Sequence, residues 1–191
     1  MTVMRLNKNT SEYVLIVIPP AEIISWVESY REKYAHYTEY KIVPHLTVYP
    51  PFYFGPDRED DLTVLLKTAL SQVDPFVVNL NKIGFFEGKN NVVFVEPDKE
   101  SSDFVKNLLV SATVVLRSRV KNVYADYNFT LDKFKPHMTI AEKLPPDLFI
   151  DVKKELEHMA VKKSFLVNSV WLYRERDNWS KIWEPVNEIK F

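Results

Sequence analysis

The sequence predicts an α+β fold in which one unit is used twice. Two observations carry this. Short apolar runs that end in proline alternate with longer segments of helical periodicity, and the same order recurs in both halves of the chain. The halves also share local sequence. Pro44-His45-Leu46-Thr47 is answered by Pro136-His137-Met138-Thr139, and Phe76-Val77-Val78-Asn79 by Phe165-Leu166-Val167-Asn168. Each half reads strand, proline, helix, Pro-His-x-Thr strand, double proline, helix, Phe-x-Val-Asn strand. Two copies are too few for a solenoid. Related by a pseudo-twofold axis, they set equivalent residues face to face across a cleft. The repeats run from about 13 to 86 and from about 91 to 189, within a single domain spanning 1–191.

Tyr13 to Ile18 is an apolar run of strand length, closed by Pro19-Pro20. The prolines lead into a helix from Ala21 to about Tyr34, where Ile24, Trp26-Val27, Tyr30 and Tyr34 fall near the i, i+3, i+4 spacing. Ile42 to Tyr49 is the next strand, ended by Pro50-Pro51. Asp60 to about Val73 is helical, with Leu62, Leu65-Leu66, Ala69-Leu70 and Val73 on one face. Phe76–Phe86 and Asn91–Val95 pair as strands around the turn residues Glu87-Gly88-Lys89-Asn90. In the second half Ser101 or Ser102 caps a long helix that runs to about Val120. Residues 121–134 are an irregular excursion. Lys135 to Ala141 is the second motif strand, and Pro146 to about Met159 is a helix. Phe165–Arg174 and Ile182 to about Ile189 close the chain as a strand pair around Asp177-Asn178.

Composition narrows the function. With 46% hydrophobic and 27% charged residues in 191, the chain is an ordinary globular domain. A formal net charge of −1 argues against a broad electrostatic grip on long DNA or RNA, and leaves room for a nucleotide or an RNA end. There is no Cys, so disulfides and Cys-based zinc sites are excluded. Only 3 Gly stand against 12 Pro, and no Gly-rich phosphate loop can be drawn. Any phosphate must be held by side chains or helix ends. The first apolar run is too short to span a membrane, and no cleavage site follows it. The expectation is a soluble, cytoplasmic, monomeric protein without metal or cofactor.

The chemistry lies in the repeated motif. Residues i and i+2 of a strand point the same way, so His45 shares a face with Thr47, and His137 with Thr139. Leu46 and Met138 point oppositely, into a core. A proline before the histidine removes a backbone donor and marks a strand end or edge. Two imidazoles facing each other suit phosphodiester cleavage: one takes a proton from the attacking oxygen and the other gives one to the leaving oxygen. The threonine hydroxyls can hold the non-bridging phosphate oxygens between them. His45 and His137 are therefore the catalytic candidates, and Thr47 and Thr139 the phosphate-binding ones.

These motifs, their spacing and the late aromatic segment Val170-Trp171-Leu172-Tyr173-Arg174 resemble the 2H phosphoesterase superfamily, with its 2′-5′ RNA ligase-like and cyclic nucleotide phosphodiesterase members. The resemblance covers Tyr13 to about Glu184. It implies a bilobal fold with two antiparallel sheets lining a central V-shaped cleft and helices on the outside. It implies that His45, Thr47, His137 and Thr139 form the phosphate site. It also implies substrates with a ribose 2′ oxygen: 2′,3′-cyclic phosphate RNA ends, 2′-5′ linkages, or cyclic phosphates of ADP-ribose. The partner is then a small nucleotide or RNA terminus. Two other readings stand beside hydrolysis: an RNA-end or nucleotide binding module without turnover, and 2′-5′ ligation.

Further residues are candidates for substrate contact. Tyr49 lies two past Thr47 and shares its face if the strand stays regular, there to stack on a base or reach phosphate. Ala141 holds the matching position, so such a role is one-sided. Lys143 continues the second motif's face. Phe85 with Phe86, and Tyr173 with Trp171, offer aromatic surfaces that also suit a core. His36 and His158 read as surface residues. Glu155 and His158, three apart on a helix, are too weak a pair to read as a metal site. The basic run Arg117-Ser118-Arg119-Val120-Lys121 suits a helix C-terminus.

Overall fold

A computed structural model describes residues 10–34, 41–123, 131–177 and 180–191. Among these, the chain runs β1 (Ser11–Val17), α1 (Ala21–Tyr34), β2 (Leu46–Phe54), α2 (Glu59–Leu70), β3 (Phe76–Phe86), β4 (Val92–Pro97), α3 (Lys99–Leu116), β5 (Lys121–Asn122), β6 (Met138–Ala141), α4 (Pro146–Leu156), β7 (Ala160–Val167), β8 (Ser169–Glu175) and β9 (Trp183–Lys190). The strands form two antiparallel sheets, ordered β5-β2-β1-β8-β9 and β6-β4-β3-β7. The α+β class and the paired antiparallel sheets agree with the sequence reading. α2 packs on α3 and β9, α3 runs against β2, and α1 lies beside β6.

The apolar run in β1 is continuous because both of its faces are covered. Tyr13, Leu15 and Val17 enter the main core, while Val14 and Ile16 turn the other way, into a small cluster with Tyr173. α1 starts where expected: the Pro20 carbonyl accepts from the amides of Ile23 and Ile24.

Several boundaries differ from expectation, each for a physical reason. Pro50-Pro51 does not end β2, because bulges absorb it. Tyr13 faces Phe52, Leu15 faces Tyr49 and Ile16 faces Thr47, so β2 carries an extra residue at the prolines and another at Val48. β2 starts at Leu46, not Ile42. Lys41 instead makes one parallel bridge to Ile182, its amide donating to the Lys181 carbonyl at 2.7 Å. β6 likewise starts at Met138, so both histidines stand just ahead of their strands. Asp98, not a serine, caps α3: its Oδ1 accepts from the Ser101 amide at 2.8 Å. Ser101 is used from the other side, its Oγ accepting from the Asn79 amide at 2.8 Å. Phe165–Arg174 is two strands in different sheets, split at Asn168, where the Phe191 amide donates to the Asn168 carbonyl.

The sheets also cut across the repeats. β3, from the first repeat, lies in the second sheet, and β8 and β9, from the second, lie in the first. The lobes are therefore not the segments 13–86 and 91–189. The two Phe-x-Val-Asn segments pair with each other, Phe76 opposite Val167 and Val78 opposite Phe165. In space, β2-β1-β8-β9 corresponds to β6-β4-β3-β7.

The cap is a discriminating test. Asp98→Ala should cost about 1 kcal/mol. Ser102→Ala should stay within about 0.5 kcal/mol of the parent. Urea midpoints at unchanged slope measure both.

Candidate active site

A cleft of about 810 Å³ opens between the sheets, and all four motif residues line it. His45, Thr47, His137 and Thr139 are half-buried, while Leu46, Val48 and Met138 are fully buried on the opposite side. The two-residue alternation thus holds across each motif.

Both imidazoles are fixed in the same way. His45 Nδ1 lies 2.7 Å from the Val43 carbonyl, and His137 Nδ1 lies 2.7 Å from the Lys135 carbonyl. A carbonyl only accepts, so Nδ1 carries the hydrogen and Nε2 keeps the lone pair in each ring. The prolines account for the match. Pro44 and Pro136 hold the preceding residues extended, which brings the carbonyl of Val43 or Lys135 under the ring two positions on.

The surroundings of the two rings differ. Burial, then the Arg31 guanidinium and His137 once it is protonated, push the His45 imidazole down to about 4, against the pull of the Val43 carbonyl. His137 is also lowered, first by burial and then by the Lys135 ammonium. Both are neutral near pH 7. His137 sits against aromatic rings: Phe86 at 5.1 Å and 88°, and Phe94 at 5.0 Å and 58°. Phe86 and Phe94 are 4.3 Å apart, and Lys135 Nζ lies over both. Phe94 occupies a slot made by Gly84, where a Cβ would fall 2.3 Å from its Cε2.

Arg31 is the residue that sequence reasoning missed. From α1, its Nε and Nη2 donate to the Thr139 carbonyl at 3.2 and 3.0 Å, and Nη1 donates to the Ile42 carbonyl at 2.8 Å. Nη1 also meets Glu28 at 3.1 Å. One guanidinium therefore touches the segments that carry both motifs. The signal was present: Arg31 continues the buried stripe Ile23, Val27, Tyr34, where an apolar residue is the norm.

The other predicted contacts are not among the cleft-lining residues. Tyr49 is 4% exposed and packs on Phe52 in the main core, because the bulge at Val48 breaks the alternation that would have kept it beside Thr47. Lys143 sits in a left-handed turn at φ 58° after β6 ends, its amide donating to Asn90. Phe85 packs edge-on to Phe149, and the neighbouring Phe86 is the one that meets His137. Tyr173 is 6% exposed and packs with Val14 and Ile16, with Trp171 against the same cluster. Arg117 to Lys121 also lie outside the lining. Glu155 pairs with Lys33, and His158 is exposed beside Glu157. His36 lies outside the described residues.

Comparison with known proteins points one way. A family model described as the 2′-5′ RNA ligase superfamily matches residues 19–179. A protein of Staphylococcus haemolyticus, provisionally named a phosphoesterase, is 27% identical over 172 residues, covering 88% of this chain and 94% of its own. A Bacillus licheniformis protein named in the same way is 25% identical, covering 88% and 93%. Among solved structures, E. coli LigT complexed with phosphate superposes with a TM-score of 0.63 at 15% identity, covering 96% of this chain and 99% of LigT. A Thermus thermophilus protein gives 0.61 at 21% identity, covering 94% and 97%. These likenesses show the fold.

Two outcomes follow from the site. Gly84→Ala should cost about 1–3 kcal/mol, since Phe94 must leave its slot, and the melting temperature should fall accordingly. His45 is depressed from 6.5 to about 4, so its contribution to stability is complete above pH 6.5 and is lost as pH falls from there through 4. Glu12, raised to about 7 by burial and by Glu175, acts in the opposite sense: its contribution is complete below 4.5 and is lost as pH rises through 7. The difference in urea stability between the parent and His45→Gln, followed from pH 7 to 4, isolates the histidine and should shrink on acidification.

Proposed function

The chain belongs to the 2′-5′ RNA ligase superfamily, and from that membership and the paired imidazoles we propose that it is a metal-independent phosphoesterase acting on a 2′,3′-cyclic phosphate or a 2′-5′ linkage. The observation that carries this reading is the identical tethering of His45 and His137 through Nδ1, which leaves two Nε2 atoms for one cleft. Water attacks phosphorus as one neutral imidazole takes its proton. The bond to the 2′ or 3′ oxygen breaks as the other imidazole, protonated, supplies a proton to that oxygen. Thr47 and Thr139 donate to the non-bridging oxygens and hold phosphorus between the rings.

The charge state of the site sets a condition. Both imidazoles are neutral near pH 7, whereas the step needs one imidazolium. The phosphodiester anion favours the charged form of a nearby ring, so binding brings one proton into the site. After each turnover the two histidines have exchanged protonation states, and solvent restores them. With a ribose hydroxyl in place of water as the attacking group, the same acid–base pair opens a 2′,3′-cyclic phosphate into a new phosphodiester linkage, which is ligation. LigT has been crystallised with phosphate, 3′-AMP, ATP and NADP+, which supports a nucleotide-sized ligand for the corresponding cleft here.

Turnover of 2′,3′-cyclic nucleotides and 2′-5′ dinucleotides tests the proposal. His45→Ala and His137→Ala should each lose roughly 10²–10⁴-fold in rate with an unchanged circular dichroism spectrum. A chelator should leave the parent's activity intact. Full activity in His45→Ala would overturn the acid–base reading, and tight binding of cyclic ends without ring opening would leave only a binding module.

A further inference from the structure

The cleft extends beyond the phosphate site along the first sheet, and its far end has a different character. Ile16 pairs with Thr47 and so stands level with the first motif. Val14 and Glu12 follow on the same face of β1, and both line the cleft. Four residues of strand carry Glu12 roughly 13 Å from that level. Ile42 and Val43 add apolar wall, and Trp183 closes the same end. Trp183 pairs with Glu175 across β8 and β9, and its amide donates to the Lys41 carbonyl at 3.1 Å. The aromatic wall is thereby pinned to the segment that leads into His45.

The two carboxyls here are not equivalent. Glu175 follows Arg174, and Glu12 precedes Tyr13, the residue paired with Arg174, so the carboxyls are cross-strand neighbours. Glu175 is buried and accepts from the Lys181 amide at 2.6 Å, which ties it into the turn before β9. Glu12 is the one that lines the cleft. The lining as a whole is unfavourable to a polyanion: Glu12, Glu28, Glu32 and Glu142 stand against Arg31 and Lys41. A substrate with one phosphoester and a flat, donor-bearing remainder fits this distribution better than a run of phosphates.

We propose that this end of the cleft is a nucleobase subsite, in which Trp183 supplies the aromatic wall and Glu12 accepts hydrogen bonds from the exocyclic amino group of the base. The proposal rests on the phosphoesterase reading and narrows its substrate to a mononucleotide cyclic phosphate carrying adenine, cytosine or guanine. Uracil has no amino group, and its one donor on the pairing edge, N3–H, stands between two carbonyl oxygens that repel a carboxylate. A hydrogen bond to a charged acceptor is strong enough to separate such bases by about tenfold or more. Burial, and then the Glu175 charge, raise the Glu12 pKa to about 7, so the bases are compared well above that pH, where Glu12 is a carboxylate and only accepts.

The test compares kcat/KM for 2′,3′-cyclic AMP, CMP, GMP and UMP in the parent, Glu12→Met and Trp183→Leu. The parent should favour the three amino-bearing substrates over cyclic UMP by about tenfold or more. Glu12→Met should bring that ratio to within about threefold. Trp183→Leu should raise KM for all four by a similar factor. An unchanged ratio in Glu12→Met overturns the proposal, and so does an equal loss on every substrate, which marks a structural role only. Equilibrium binding of 3′-AMP and 3′-UMP reads the subsite without turnover. If no cyclic nucleotide is opened but 3′-AMP binds more tightly than 3′-UMP in a Glu12-dependent way, the subsite stands and the catalytic reading falls. Equal binding of the two, or no binding of either, overturns the subsite.

Discussion

The Arg31 guanidinium holds the two halves of the site in register. Both histidines stand just ahead of their strands, and Arg31 joins the two segments across the cleft, through donors to the Ile42 carbonyl ahead of His45 and to the Thr139 carbonyl of β6. Hydrogen bonds from a charged donor contribute about 1.5–3 kcal/mol each, and a buried carbonyl left without its partner costs on the order of 1–3 kcal/mol. The arrangement is also electrostatic. A fixed cation beside His45 favours the neutral imidazole and adds positive charge to a cleft otherwise rich in glutamate. The residue that positions the site therefore also tunes it.

Much of this was legible in the sequence, because the readable features are local. A Pro-His-x-Thr segment sets its own geometry: the proline extends the residue before it, the carbonyl two positions back meets the ring, and alternation aligns the threonine. On that basis the four side chains could be expected on one cleft, and all four line it. The helices were readable from their periodicity, and α1 begins and ends as expected. What the sequence hides is non-local. The fate of Tyr49 depends on a bulge created by pairing with β1, and no property of Ile42–Tyr49 announces it. Phe86 rather than Phe85 meets His137 because β3 pairs with β4, which sets Phe94 over Gly84. Arg31 was visible as an anomaly in an apolar stripe, but its partners lie on other elements.

The approximate symmetry is informative where it fails. The tethers of the two histidines match in atom and distance, while their surroundings do not. Each lies near a cation, Arg31 for His45 and Lys135 for His137, but His137 is also wedged against two phenylalanines. A duplicated unit can conserve the backbone device that aims an imidazole and still allow each copy its own dielectric and charge. Two groups of one chemical type can then differ in proton affinity, which acid–base partners require.

The exchange of strands between the repeats bears on how the chain is made. β1 is the centre of the first sheet, yet one of its two neighbours is β8, close to the far end of the chain. During synthesis β1 and β2 are exposed long before β8 emerges from the ribosome, and the first sheet cannot close until it does. Such long-range pairing slows folding and leaves an unpaired apolar strand edge in the interim. The second sheet is more nearly local, since β3, β4, β6 and β7 all precede β8. Once free of the ribosome, a chain ending before Asn168 would contain every strand of the sheet that carries His137 and would lack β8 and β9 of the other.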